Sequence, residues 1–221
     1  MSSDINVPDS RIADHGVELY GAAAGNCRRV AIAFEEAGIP FTVRHVDLRN
    51  GEHKRRPYLD LNPAGQVPTI VDYTVGGDPL VLTQSNAIIL YAASKAPGKL
   101  MLVNESRENA TILERFFYFL TDVIGPSQVS FYLHGQGYQE ASRKLNEKLQ
   151  ATIVSAERFV AQSRFMAGDK FSIADIVAFT ITAFVKDSLP LEQLPNLRRW
   201  LEDIEARPAV QRGLHAFDGA Q

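Results

Sequence analysis

Gly65-Gln66-Val67-Pro68-Thr69-Ile70-Val71, answered further along by Thr83-Gln84-Ser85-Asn86-Ala87-Ile88-Ile89, fixes both a fold and a class of ligand. The first run is a glycine-containing turn that enters a β-branched strand, with proline at the strand's first residue, where a missing N–H is tolerated. A valine–proline bond in that place can be cis, which presents the backbone N–H and C=O of Val67 unpaired. An extended peptide can pair with those two groups as though it were another strand. In the second run, Thr83-Gln84-Ser85 precedes the apolar Ala87-Ile88-Ile89-Leu90-Tyr91, so it falls at a helix N-terminus, after a strand over residues 79–82. Free N–H groups and the helix dipole make that end a carboxylate site. Together the two runs describe a pocket that holds a small peptide by its main chain and by a terminal carboxylate.

Outward from these runs, strand-like and helix-like segments alternate up to about residue 95. A strand over 17–20, a helix over 26–37, a strand over 41–47 and a helix over 52–59 come before the two strands and helix already placed. This βαβ unit followed by ββα predicts a mixed sheet covered by helices. After the break at Ala96-Pro97-Gly98 every long segment has helical periodicity: 107–124, 139–161, 173–188 and 196–205. The expected organisation is a mobile leader over 1–16, an α/β domain over 17–95, a linker over 96–104 and an all-helical domain over 105–221. In the helical half, Ser172 and Asp175 have capping-box spacing, with aspartate in place of the usual Glu or Gln. Their expected work is folding, not chemistry.

Composition narrows the function by exclusion. The 221 residues are 45% hydrophobic and 22% charged, ordinary for a soluble globular protein. A formal net charge of -3 gives no electrostatic reason to expect nucleic acid or a membrane surface as partner. The local cluster Lys54-Arg55-Arg56 reads as a solvated helix face. One cysteine excludes internal disulfides and points to a reducing compartment, here the cytoplasm. Residues 1–16 contain three aspartates and no apolar core, so they are expected to be neither a signal peptide nor an anchor. No apolar run approaches the roughly 20 residues of a membrane helix.

Glutathione is a small peptide of the kind the site describes, and from about Val17 to about Pro208 the chain resembles the cytosolic glutathione transferase superfamily. The resemblance rests on the Val67-Pro68 step, the Gln84-Ser85 helix start and the Ser172-Asp175 box. It implies an N-terminal thioredoxin-like domain (βαβαββα), a C-terminal helical bundle, a homodimer, and glutathione as co-substrate, with no metal. The segment Asn50-Gly51-Glu52-His53-Lys54 is similar to the nu-class bacterial and yeast nitrogen-regulator branch. There the histidine helps hold the glycyl end of glutathione. By the same resemblance, His53, Gln66, Val67, Pro68, Gln84 and Ser85 bind glutathione. Gln84 departs from the branch, which mostly carries glutamate at that place to neutralise the γ-glutamyl ammonium.

The chemistry is expected in the turn Tyr20-Gly21-Ala22-Ala23-Ala24-Gly25-Asn26-Cys27-Arg28-Arg29-Val30. A thiol offered to a helix N-terminus is stabilised as thiolate by the dipole and free N–H groups. Aligned on family members that read Ser-Pro-Asn-Gly or Thr-Pro-Asn-Gly, Ala24 takes the hydroxyl position and Asn26 the asparagine that approaches the glutathione sulfur. Asn26 is thus the expected catalytic residue; the alternative is an N-cap that only starts the helix. Cys27 is expected to be a buried small residue, and Tyr20 to pack in the core. The acceptor site is expected between the domains, with Tyr118 and Tyr132 on its wall because their hydroxyls tolerate water. The implied reaction is attack of bound glutathione thiolate on a disulfide or soft electrophile. The alternatives are glutathione-dependent ether cleavage and a binding or regulatory module without catalysis.

Overall fold

Four strands, Val17–Gly21 (β1), Phe41–His45 (β2), Thr69–Asp72 (β3) and Leu80–Thr83 (β4), make one sheet in the order β2-β1-β3-β4. The computed structural model describes residues 16–103 and 107–219, so all of the expected leader except Gly16, and part of the expected linker, lie outside the described residues. β1 and β2 run parallel, as a crossover helix between them requires, and β3 runs antiparallel to β1 and to β4. The crossover is α1 (Gly25–Ala37), and α3 (Ser85–Lys95) follows β4. All four residues of β3 are buried, which places this strand in the interior with helices against the sheet. With the short α2 (Tyr58–Leu61), this is the βαβαββα order of a thioredoxin-like domain.

One expected helix is divided. In place of a continuous helix over 52–59 there is a single 3-10 turn, Glu52–Lys54, and then α2. Pro57 stands between them with no N–H to continue a helical ladder.

The second domain is all helical: α4 (Arg107–Phe119), α5 (Gly125–Gly135), α6 (Gln139–Ser155), α7 (Glu157–Val160), α8 (Ile173–Val185), α9 (Pro195–Glu205) and α10 (Pro208–His215). The helix expected over 107–124 does not stop there. A π-turn, Leu120–Ile124, carries α4 into α5, with the Gly125 N–H donating to the Leu120 carbonyl five residues back. Pro126 has no N–H for an ordinary α-helical bond, and the wider turn passes it without ending the helix.

The capping box at the start of α8 is complete. Asp175, fully buried, accepts from the Ser172 N–H (3.0 Å) and hydroxyl (3.2 Å), the Met166 N–H (2.9 Å) and the Trp200 indole N–H (2.9 Å). Burial pushes its carboxyl up to about 6 despite these donors.

α1 joins the two domains. Arg207 forks onto Glu36 at 2.6 and 2.7 Å, and Arg212 reaches Glu35 at 2.7 Å. Gly213 of α10 lies so close that a Cβ there would fall 2.6 Å from the backbone of Ile32. Both domains therefore set the position of α1, whose N-terminus is the expected site of chemistry.

Asp175→Ala leaves three buried N–H donors without an acceptor. It should cost about 3 kcal/mol or more, read as a lower denaturant midpoint from the fluorescence of Trp200, the chain's one tryptophan.

Candidate functional site

Val67 and Pro68 are joined by a cis peptide bond, and among the described residues the Val67 N–H and C=O make no hydrogen bond. The turn that holds them is pinned from below. The Gln66 carbonyl accepts from the Tyr58 hydroxyl and the Asn62 amide, both at 2.6 Å, and Tyr58 also meets the Thr69 hydroxyl at 3.0 Å. Tyr58, Asn62 and Thr69 are all buried.

Facing this turn is the start of α3. Gln84 has φ 68° and ψ 105° and is the non-glycine residue with positive φ among the described residues. Such backbone costs about 1–3 kcal/mol and is held by its surroundings. It swings the chain from β4 so that Ser85, buried, opens α3 with no side-chain cap on the free N–H groups of the first turn. The helix is anchored by Asp72, which accepts from Tyr91 and Lys95, each at 2.6 Å, and from Thr74. Burial pushes the Asp72 carboxyl up, and these bonds outweigh it and hold the group at about 2.

α1 contributes the third wall. Its N-cap is Ala24, extended and without a side-chain oxygen to accept, so Asn26 is not the cap but the second helical residue. The Asn26 side chain makes no hydrogen bond among the described residues. Its amide is free to meet a ligand beside the open N–H groups of that helix end.

Asn26, Gln66, Val67, Pro68, Gln84 and Ser85 all line one cavity of about 240 Å³. Asn86 is on its wall too, and its Oδ1 is buried with no partner. The cavity adjoins a larger one of about 730 Å³ between the domains, and Asn26, Ile124 and Gln128 border both. The second volume is in the range of roughly 300–1,000 Å³ typical of small-molecule sites.

Three expected residues lie elsewhere. His53, in the 3-10 turn, lines neither cavity, and its Nδ1 is buried without a hydrogen-bond partner. Tyr118 turns away from the cleft, donating to the Thr152 carbonyl (2.8 Å) and packing edge-on against Phe159. Tyr132 is exposed on α5, while its neighbour Phe131 faces the larger cavity. Tyr20 is half-buried, donating to Glu18 at 2.7 Å beside Arg44, a network rather than apolar core. Cys27 is fully buried, and burial pushes its thiol up to about 11. Among the described residues no cluster of three or more His, Cys, Asp or Glu could hold a metal, and no helix is long and apolar enough to cross a membrane.

A thiol pushed up to about 11 is protonated at neutral pH, and it is shielded as well. Native Cys27 should resist iodoacetamide at pH 7 to 9 and react promptly only after unfolding, with mass spectrometry as the readout.

Residues 25–95 match the family model of the glutathione S-transferase N-terminal domain, and residues 120–208 match that of its C-terminal domain. The chain is 31% identical to glutathione S-transferase 3 of Zea mays, over 91% of this chain and 94% of the relative. It is 29% identical to the disulfide-bond oxidoreductase YfcG of Escherichia coli, over 90% and 94%. In three dimensions it is similar to a Pseudomonas putida glutathione transferase that has one glutathione disulfide bound per subunit. That TM-score is 0.80 at 24% identity, covering 90% of this chain and 91% of the other. With both domains matched and the relatives spanned almost end to end, the chain belongs to the glutathione S-transferase family.

Proposed function

We propose that the smaller cavity binds glutathione and that its thiolate, held at Asn26, attacks a disulfide or soft electrophile seated in the larger one. The observation that carries this is the meeting, on one 240 Å³ cavity, of the unpaired Val67 backbone, two uncapped helix ends and Asn26, next to a second cavity of acceptor size. Val67 pairs with the cysteinyl main chain. Ser85 and the α3 amides take the γ-glutamyl carboxylate. The ammonium needs an acceptor, and in this proposal the Gln84 side-chain carbonyl, on the cavity wall, supplies it. His53 stands outside this wall, so in this proposal Gln66 serves the glycyl end.

Because Ala24 provides no hydroxyl, the thiolate rests on the Asn26 amide and the N-terminus of α1. In the disulfide reaction the thiolate attacks one sulfur of the acceptor, forms a mixed disulfide and expels the other sulfur as thiolate. A second glutathione then resolves the mixed disulfide to oxidised glutathione and free thiol. The YfcG relative is named for disulfide chemistry, which favours this version over conjugation. The same proposal assigns the chain to the nu-like branch, through Asn26 and the Asn50-Gly51-Glu52-His53 segment, and to a cytoplasmic homodimer. Exposed Val81 on the edge strand β4 and Phe117 on α4 are apolar surface that a second copy could cover.

Turnover of bis(2-hydroxyethyl) disulfide with glutathione tests the reaction. Asn26→Ala should lower kcat/KM by about 10- to 100-fold, and Ser85→Ala should weaken glutathione binding by about tenfold, the scale of one hydrogen bond to a charged group. Saturable glutathione binding without turnover of disulfides or electrophiles would leave a binding module in place of an enzyme. No binding at millimolar glutathione would overturn the proposal.

A further inference from the structure

On the wall of the larger cavity lies a cation, Arg29, that no acid among the described residues neutralises. Arg29 is 3% exposed, and its Nε and Nη1 are sealed from solvent without a hydrogen-bond partner. No ion pair reaches it among the described residues. Desolvation pushes its guanidinium down to about 10, which leaves it charged at neutral pH. Arg28 beside it has a buried, unpartnered Nε as well, with its outer end 3.8 Å from Asp218. The residues lining the cavity include no Asp or Glu. An unpaired buried charge is costly, and an anion in the cavity would offset that cost.

The rest of the wall defines the ligand's other end. Phe131 and Phe184 are 82% and 81% exposed, yet both face this cavity, and buried Phe179, on α8 with Phe184, lines it too. Aromatic side chains that remain this open within a cavity offer stacking area to an apolar body. Asn26 and Arg29 are three residues apart on α1 and both line the cavity, so they lie on one face of the helix. An anion on Arg29 therefore sets the attached body beside Asn26, where the sulfur is held.

We propose that the larger cavity selects acceptors that join an aromatic body to a carboxylate, and that Arg29 binds the carboxylate. This rests on the glutathione reading above and narrows it to a class of acceptor. With Nε and Nη1 sealed, Nη2 is the nitrogen left to meet the carboxylate, and the apolar surroundings strengthen that charge-assisted bond.

The probes are 4-chloro-3-nitrobenzoate and 4-chloro-3-nitrobenzamide, alike at the reacting carbon and different in charge. In their reaction the glutathione thiolate bonds to the ring carbon bearing chlorine, and chloride leaves with the bonding pair. The full chain should favour the acid over the amide by about tenfold or more in kcat/KM, corrected for the uncatalysed rates. Arg29→Met should bring that ratio to about one, with Arg29→Lys between, and Arg29→Met should melt higher because it removes the unpaired charge. Calorimetric titration of both probes, with unreactive S-methylglutathione filling the smaller cavity, gives a readout independent of turnover. Tighter binding of the acid in the wild type, lost in Arg29→Met, upholds the acceptor site even where neither probe turns over; in that case only the conjugation step falls. Equal affinity for acid and amide in the wild type overturns the proposal, whatever the variants do. So does a preference that survives in a cooperatively melting Arg29→Met. Displacement of both probes alike by oxidised glutathione, with no acid preference, would put a second glutathione there and also overturn it.

Discussion

The carbonyl of Gln66 is gripped from two sides by buried side chains, the Tyr58 hydroxyl and the Asn62 amide, and the ligand face of the protein follows from that grip. A carbonyl with both lone pairs satisfied cannot turn outward, so the residue after it presents its own backbone to the cavity. Val67 is thus left with an N–H and C=O that the sheet does not claim, one residue before buried Pro68 and two before β3 begins. Opposite, Asp72 anchors α3 to β3 through Tyr91 and Lys95, and fixes where the uncapped start of that helix points. The open groups on the cavity are therefore held by closed networks immediately beneath them. An unpaired polar group is retained at a site only where the surrounding structure over-determines it.

α1 adds the functional asymmetry. Its middle is packed from both domains, by the close approach of Gly213 to Ile32 and by the Arg207–Glu36 fork, while its N-terminus is bare. Asn26 and Arg29 project from the bare end onto the larger cavity. The helix thus couples interdomain packing to the geometry of the proposed thiol and acceptor positions. A change in how α10 sits on α1 would be felt at Asn26, although no residue of α10 except Leu214 touches that cavity.

The sequence made legible what depends on local pattern. The alternation of β-branched strands and amphipathic helices gave the order βαβαββα. The Val67-Pro68 turn and the start of α3 at Ser85 are marked by proline and by polar residues ahead of an apolar run, and the structure puts them on one cavity. What depends on distant contacts was not legible. Tyr58 and Asn62 carry no signal that they clasp the Gln66 carbonyl, since a tyrosine at the start of a short helix and an asparagine at its end look alike whether buried or wet. Arg29 looks like any arginine on a helix, and only the tertiary packing reveals that it is enclosed. Aromatic assignment failed for a separate reason. It rested on the tolerance of a hydroxyl for water, which does not report which way a helix face turns: the Tyr118 hydroxyl goes to the Thr152 carbonyl, and Phe131 in place of Tyr132 meets the cavity.

We propose that the open amides at Val67 and at the first turn of α3 form one glutathione site. The most direct test is a ¹⁵N-resolved NMR titration of the full chain with reduced glutathione, following the amides of Val67, Ser85 and Asn86. All three should shift together, saturably and with one dissociation constant, while amides of α6 and α9 stay in place. Saturable shifts elsewhere with these three unmoved, or different midpoints for Val67 and Ser85, would contradict it.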